Sequence, residues 1–152
     1  MEKQFRIIVL LVTGLLVFSF LGFYKTYFKL FPRFLGTTGV VHFHVLTVLG
    51  WFAMLVGQAA LAAKGRIDLH RKIGKLSYLL FPLILFGFVL MADYGQMRHK
   101  EPALLGATMF DASLFALFYG LAIWNRKNTA YHSRYMMLTA LPFINPGLGR
   151  FI

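Results

Sequence analysis

Long apolar runs, separated by short polar segments, dominate the chain from end to end. Five runs approach the length of about 20 residues that a helix needs to cross a bilayer. They cover 7–24, 40–63, 76–95, 103–124 and 136–152. Because backbone groups in lipid must be hydrogen-bonded within the chain, these runs predict helices, and Gly50 and Gly57 suit close contact between them. The pattern predicts one all-α domain, an integral membrane helical bundle of about five transmembrane segments. The last segment, rich in proline and glycine, is expected to be broken or partial.

Composition supports a membrane protein. Hydrophobic residues make up 59% of the 152 residues and charged residues only 14%. A soluble domain has about 25% charged residues, and a soluble chain of this size could not bury so much apolar surface. The chain contains no cysteine, which excludes disulfides, thiolate metal sites and cysteine catalysis. Histidine and carboxylate side chains therefore remain as the expected ligands.

The charge distribution predicts an orientation. The formal net charge is +11, from 16 basic and 5 acidic residues, and the basic residues lie between the apolar runs. Lipid head groups are therefore the expected partner, and nucleic acid is not. With the N-terminus inside, ten basic residues lie on the inner side and six on the outer side. This bias predicts a bacterial inner-membrane protein with a cytoplasmic N-terminus.

Two histidines are predicted at helix starts on the inner side. The segments around His70 and His132 read as first turns, with Asp68 and Asn128 (or Thr129) as the capping residues. The positive end of a helix dipole disfavours an imidazolium, so both rings are expected to be neutral, the form that binds metals. Paired imidazoles with Arg71 and Arg134 nearby suit a haem b, its iron on the rings and its propionates on the guanidinium groups. Another polar or metal role, or simple anchoring at the head groups, remains an alternative.

A second polar group is predicted towards the outer side. His42 and His44 begin the second helix, and Asp111 lies roughly 12 Å inside the fourth. Ionisable groups at that depth are costly and are functional hypotheses by default. His44 with Asp111 suits metal binding, proton relay or substrate contact, and a structural hydrogen bond is the alternative. Two residues apart on a helix is about 200°, so at most one of the two histidines is expected to face the interior.

Trp51 and Gln58 extend this group into a stripe. They follow His44 at steps of seven residues, nearly two full helical turns, so the three side chains share one face. A polar stripe of this kind is expected to face the bundle interior. No phosphate-binding loop, H-E-x-x-H metal motif or serine elbow is present, which leaves nucleotide-driven and hydrolytic functions unsupported.

The chain resembles an uncharacterised family of small bacterial multi-pass membrane proteins. The motifs that carry the resemblance are, in chain order, His42-Phe-His44, Trp51, Gln58, Gly65-Arg66, Leu69-His70-Arg71, Asp111, His132-Ser-Arg134 and Pro146-Gly-Leu-Gly-Arg150. They span about 23–150, and Ser133 departs from the basic residue usual in the family. The family continues through further helices beyond the position of Arg150, and it implies no established activity. The Leu69-His70-Arg71 segment is also similar to small membrane proteins that assist haem–copper oxidase assembly.

Three functions follow as hypotheses. The first is a membrane protein that binds haem b or a metal ion through histidines, with a redox or oxidase-assembly role. The second is a cofactor-free accessory subunit of a larger membrane complex, with a partner protein or a second copy of the chain. The third is a small proton-coupled transporter that uses Asp111 and the His44–Gln58 stripe. Whether the chain is an enzyme is left open.

Overall fold

The structure is a computed structural model, which describes residues 2–99 and 102–144. Every regular element in these two stretches is helical. The α-helices are α1 (Glu2–Tyr24), α2 (Gly39–Ala63), α3 (Ile67–Gly74), α4 (Ser77–His99), α5 (Pro102–Trp124) and α6 (Thr129–Leu138). Two short 3-10 turns, Phe28–Leu30 and Leu141–Phe143, follow α1 and α6. The predicted all-α helical bundle is confirmed.

Four of these helices are long and apolar enough to cross a membrane. Within the described residues these spans are Arg6–Tyr24, Gly39–Ala63, Ser77–Gly95 and Leu105–Trp124. They coincide closely with the first four predicted runs. Of the fifth run, only 136–144 lies within the described residues, and there α6 ends at Leu138 before a 3-10 turn. Pro146, Gly147, Gly149 and Arg150 lie outside the described residues.

The long helices alternate in direction. α1 packs on α2, α2 on α4, and α4 on α5, while the short helices α3 and α6 pack on α2 and α5. This alternation places the start of α1, both short helices and the end of α5 at one end of the bundle, the His70 end. The loop after α1, the start of α2 and the end of α4 lie at the opposite end, the His42 end.

An aromatic core holds the helices together. Trp51, Phe52 and Phe115 are fully buried, and the ring of Phe81 stacks on that of Tyr119 with centroids 4.3 Å apart. Aromatic pairs at such distances add attraction beyond the area they bury. The outer surfaces of the same helices are also apolar. Leu10, for example, is 72% exposed, as expected of a side chain in contact with lipid.

The predicted caps are right at one helix and wrong at the other. Asn128 caps α6, and its side-chain oxygen accepts from the backbone N–H groups of Ala130 and Tyr131 at 3.2 and 3.3 Å. α3 begins two residues earlier than predicted, with Arg66 as N-cap and no capping side-chain bond. Asp68 therefore lies in the first turn, where its carboxylate still complements the helix dipole.

Candidate functional site

His70 and His132 meet at one end of the bundle. Each is the fourth residue of a short helix, α3 or α6, that follows a long helix. The ring centroids are 6.4 Å apart, and the ring planes lie at 85° to each other. The structure therefore brings together the two histidines that sequence analysis paired.

A backbone carbonyl orients the ring of His132. Its Nδ1 lies 2.8 Å from the carbonyl oxygen of Ala122 near the end of α5. Since a carbonyl only accepts hydrogen bonds, Nδ1 carries the proton of the neutral ring. The lone pair is then on Nε2, which is the arrangement that metal-binding histidines adopt.

Gln58 makes the surroundings of His70 different. Nδ1 of His70 lies 3.2 Å from the backbone oxygen of Gln58. With its amide nitrogen facing His70, the Gln58 side chain donates to the His70 carbonyl at 2.9 Å and to Nδ1 at 2.7 Å. Its amide oxygen then accepts from the N–H of Gly74 at 3.3 Å. The opposite amide orientation would place its oxygen against the His70 carbonyl oxygen.

These contacts allow two proton positions on His70. Where Nδ1 accepts from the Gln58 amide, the proton is on Nε2 and that nitrogen is a donor. Where Nδ1 donates to the backbone oxygen of Gln58, Nε2 has the lone pair and is able to bind a metal. Burial lowers the pKa of His70, and the nearby His132 and Arg71 lower it further, against the effect of the backbone hydrogen bond. The ring is therefore neutral at pH 7 in either form.

Both histidines line a large cavity at the His70 end. Its volume is about 770 Å³, within the range of small-molecule and cofactor sites. The wall towards the bundle is mainly apolar, from α1, α2, α5 and α6. The cationic lining residues are Arg71, Lys75, Arg126 and Lys127, and none of the described lining residues is acidic.

The cationic side chains only partly match the prediction. Arg71 lines the cavity as expected, whereas Arg134 is exposed and does not line it. Arg126 and Lys127, which follow α5, do so instead. The sequence indicated only that Arg126 and Lys127 contribute to the charge bias that predicts the orientation. Their place beside His132 depends on how α6 folds back on α5. A cavity with this lining attracts an anionic group.

A bare metal ion fits this lining poorly. Within the described residues there is no group of three or more His, Asp or Glu side chains that could hold one. Two imidazoles and four cationic side chains would leave a divalent ion without charge compensation. Two imidazoles that share one ion at about 2.0–2.1 Å per nitrogen have ring centres roughly 6 Å apart. The 6.4 Å between the two ring centroids is close to this value.

At the opposite end of the bundle, His42 and His44 face apart, as the helical spacing predicts. His42 Nδ1 lies 2.7 Å from the hydroxyl of Tyr27. Burial raises the pKa of Tyr27, so the phenol stays protonated. His44 turns to the interior, where its ring packs edge-on against Phe88 of α4 with centroids 5.4 Å apart.

The polar stripe faces the interior, as predicted. Trp51 is fully buried and Gln58 is 8% exposed. The indole N–H of Trp51 donates to the hydroxyl of Thr139 at 3.0 Å, which joins α2 to the segment after α6. Asp111 is also buried, at 4% exposed. His42, His44 and Asp111 do not form a three-ligand metal cluster in the part of the chain that the structure describes.

Comparison of the chain with models of protein families, with curated proteins and with solved structures gives no match. The resemblance noted from the sequence motifs therefore stays a prediction.

Proposed function

We propose that the protein binds haem b in the cavity at the His70 end, where His70 and His132 would hold the iron. The observation that carries the proposal is the perpendicular pair of imidazoles, with ring centroids 6.4 Å apart, on the wall of a large cavity. The role of such a haem is electron transfer or delivery to a membrane oxidase. If both histidines hold the iron, the haem would supply electron transfer and not substrate binding at the iron.

The charge of the cavity lining supports haem over a bare metal ion. Haem b is an apolar macrocycle with two propionates. Apolar side chains of α1 and α2 form one wall, and Arg71, Arg126 and Lys127 are the cations available to the propionates. Arg–carboxylate pairs are strong and directional. Arg134 has no part in this arrangement.

The proposed location is the bacterial inner membrane, with the N-terminus and the His70 end on the cytoplasmic side. The excess of basic residues in the segments at this end supports that orientation. The haem would then lie near the cytoplasmic surface, within reach of a cytoplasmic donor of haem or electrons.

Absorbance spectroscopy tests the proposal. The protein, purified from membranes of cells supplied with haem, should show a Soret band and one haem per chain. His70→Ala and His132→Ala should each weaken or abolish the band, because each removes an axial ligand. His42→Ala is the matched control, since His42 lies at the opposite end, and it should keep the full spectrum. The proposal would be refuted if the unmodified protein had no Soret band, or if the band survived when His70→Ala and His132→Ala were combined.

A second candidate is the binding of a small anion at the same place. It is favoured by the Gln58 contact at 2.7 Å, which leaves the proton of His70 on Nε2 as a donor. A donor imidazole beside four cations suits phosphate or a phospholipid head group. Protein without haem that is thermally stabilised by phosphate, with the effect lost in Arg71→Ala, would favour this candidate.

A further inference from the structure

A second, smaller cavity lies at the other end of the same bundle. It has a volume of about 70 Å³ and is formed where α1, α2 and α4 meet the two 3-10 turns. Aromatic side chains such as Phe20, Phe52 and Phe88 make up much of its wall. The polar residues among the lining side chains are Ser19 of α1 and His44 of α2, and no charged residue lines it.

Both of these residues carry a buried polar atom without a partner. Ser19 Oγ and His44 Nδ1 have no hydrogen-bond partner among the described residues. Ser19 is 8% exposed. Buried polar groups in proteins are nearly always hydrogen-bonded, and an exception requires an explanation, such as a bound molecule. Both residues line the same cavity, so a single bound molecule is the simplest partner for the two atoms.

The hydroxyl of Ser19 is unusual for a membrane helix. Such hydroxyls commonly bond back to a carbonyl one turn earlier in the helix. Thr47 does so in α2, with its hydroxyl 3.0 Å from the Phe43 carbonyl, and Ser113 does so in α5, 2.8 Å from the Met109 carbonyl. Ser19 makes no such bond, so its donor and its lone pairs are available to another molecule.

Gly87 keeps space beside the imidazole of His44. A Cβ atom at this position of α4 would lie 3.2 Å from His44 Nδ1 and 3.6 Å from the ring of Phe43. Any larger residue would therefore press against the unpartnered nitrogen. The absence of a side chain at Gly87 preserves the position of the ring at the helix contact.

We infer that Ser19 and His44 form a binding site for a neutral oxygen-bearing group. The wall is apolar and has no charged residue, so it disfavours ions. The Ser19 hydroxyl and the His44 imidazole favour a group that forms hydrogen bonds with both. The volume suits about two water molecules, at roughly 30 Å³ each, or the hydroxyl or carbonyl end of a lipid-soluble molecule. His44 and Gln58 are fourteen residues apart, so this site is roughly 21 Å along α2 from the haem cavity. It does not depend on haem binding.

Solid-state NMR of the full chain in lipid nanodiscs tests this site. The histidines are labelled with ¹⁵N, and magnetisation transferred from water should reach the imidazole of His44. The signal of His44 is identified as the one that is absent from the His44→Gln variant. A second sample contains 1-octanol labelled with ¹³C at its carbinol carbon. If the oxygen-bearing group belongs to a lipid-soluble molecule, the labelled octanol carbon should show a contact with His44. The magnetisation transferred from water to His44 should then be weaker.

The variants distinguish the site from chance hydration. Ser19→Val should abolish the transfer from water or octanol to His44, because it removes the hydroxyl. Gly87→Ala should reduce this transfer by displacing the His44 ring, and it gives a second test if one variant folds poorly. Ser113→Ala is the control, because it removes a hydroxyl elsewhere in the bundle, and it should leave the contact unchanged. The inference is overturned if neither water nor octanol reaches His44, or if the contact is the same in Ser19→Val.

Discussion

The amide of Gln58 contacts His70 at two atoms, and its orientation determines which imidazole nitrogen carries the proton. A nitrogen that faces Nδ1 keeps the proton on Nε2, which prevents iron binding there. The opposite orientation would leave the lone pair on Nε2, but it would also place the amide oxygen against the His70 carbonyl oxygen. Gln58 is therefore a positioning residue for the proposed haem site, acting through His70 and not on the haem itself.

Gln58→Glu should tighten haem binding by about tenfold, the lower range of effects seen when the partner of a metal-binding histidine is changed. The carboxylate only accepts, so it holds the proton on Nδ1 and makes His70 a stronger ligand. The reduction potential should fall as a result, because the more basic ligand favours ferric iron. Gln58→Leu, which removes the polar partner, is the matched comparison. Equal potentials in the two variants would contradict this role.

The lowered pKa of His70 predicts a pH dependence of stability. The unfolded chain has a histidine pKa of about 6.5, and burial holds the folded value below it. Stability is therefore full above about pH 6.5, and it falls as the pH drops towards the folded pKa because the unfolded state binds the proton more readily. Thermal unfolding of the haem-free protein between pH 8 and 5 should show this loss, and His70→Gln should show less of it. An identical pH profile in the variant would contradict the prediction.

The residues of the candidate site were only partly predictable from the sequence. His70 and His132 could be found because ionisable groups are rare in this chain and each begins a helix. The sequence could not show that Arg126 and Lys127 line the cavity while Arg134 does not. That difference depends on the angle at which α6 returns to α5. The Gln58 contact was also missed, since a stripe of seven-residue steps predicts a face and not a partner.

At the scale of helices, the two histidines belong to two similar units. In each, a long helix ends, a turn follows, and a short helix presents a histidine as its fourth residue. Each Nδ1 lies near a carbonyl oxygen of the preceding long helix, that of Gln58 in α2 or of Ala122 in α5. The short helices therefore position the rings, and their caps should matter for ligand binding.

Asn128→Ala should destabilise α6 by about 0.5–2 kcal/mol, the usual cost of losing a side-chain cap. The variant leaves the first-turn N–H groups of Ala130 and Tyr131 without the partner that they have now. Because His132 is in the same turn, haem should also dissociate faster. Thr38→Ala is the control, since Thr38 precedes α2 without a capping side-chain bond. Equal unfolding and dissociation in the two variants would show that the cap has no such role.

The membrane spans were predictable from the sequence because their apolar runs are longer than a soluble helix needs. The contacts between the helices were not predictable. Gly50 and Gly57 were expected at close contacts. A Cβ at Gly50 would meet Leu80 at an ordinary 3.8 Å, and at Gly57 it would meet nothing within 4 Å. The close approach is at Gly87, against His44. Which glycine faces a neighbour depends on the register of α2 against α4, and no pattern along one helix specifies that register.

At the scale of the whole molecule, the structure has a large cavity with a cationic lining at one end and a small uncharged cavity at the other. Apolar helix faces between them contact lipid. This asymmetry gives the orientation in the membrane a functional meaning, because it decides which aqueous compartment the proposed haem faces.

Single cysteines should reveal that orientation. The chain has no cysteine of its own, so each introduced thiol is the only one labelled. Lys72→Cys, at the His70 end, should be protected from a membrane-impermeant maleimide in intact cells and become labelled once the membrane is opened. Lys29→Cys, at the opposite end, should be labelled in intact cells. Both side chains are exposed, and the reverse labelling pattern would refute the proposed orientation.

The central claim is that one iron is shared by His70 and His132, and electron paramagnetic resonance of the oxidised, haem-loaded protein tests it most directly. If His70 and His132 both hold the iron, the oxidised protein should give a low-spin signal, because the identity of the ligands sets the electronic state of the haem. His132→Ala should convert it to a high-spin signal, while His42→Ala leaves it unchanged. A high-spin signal in the unmodified protein, or no haem signal at all, would contradict the account.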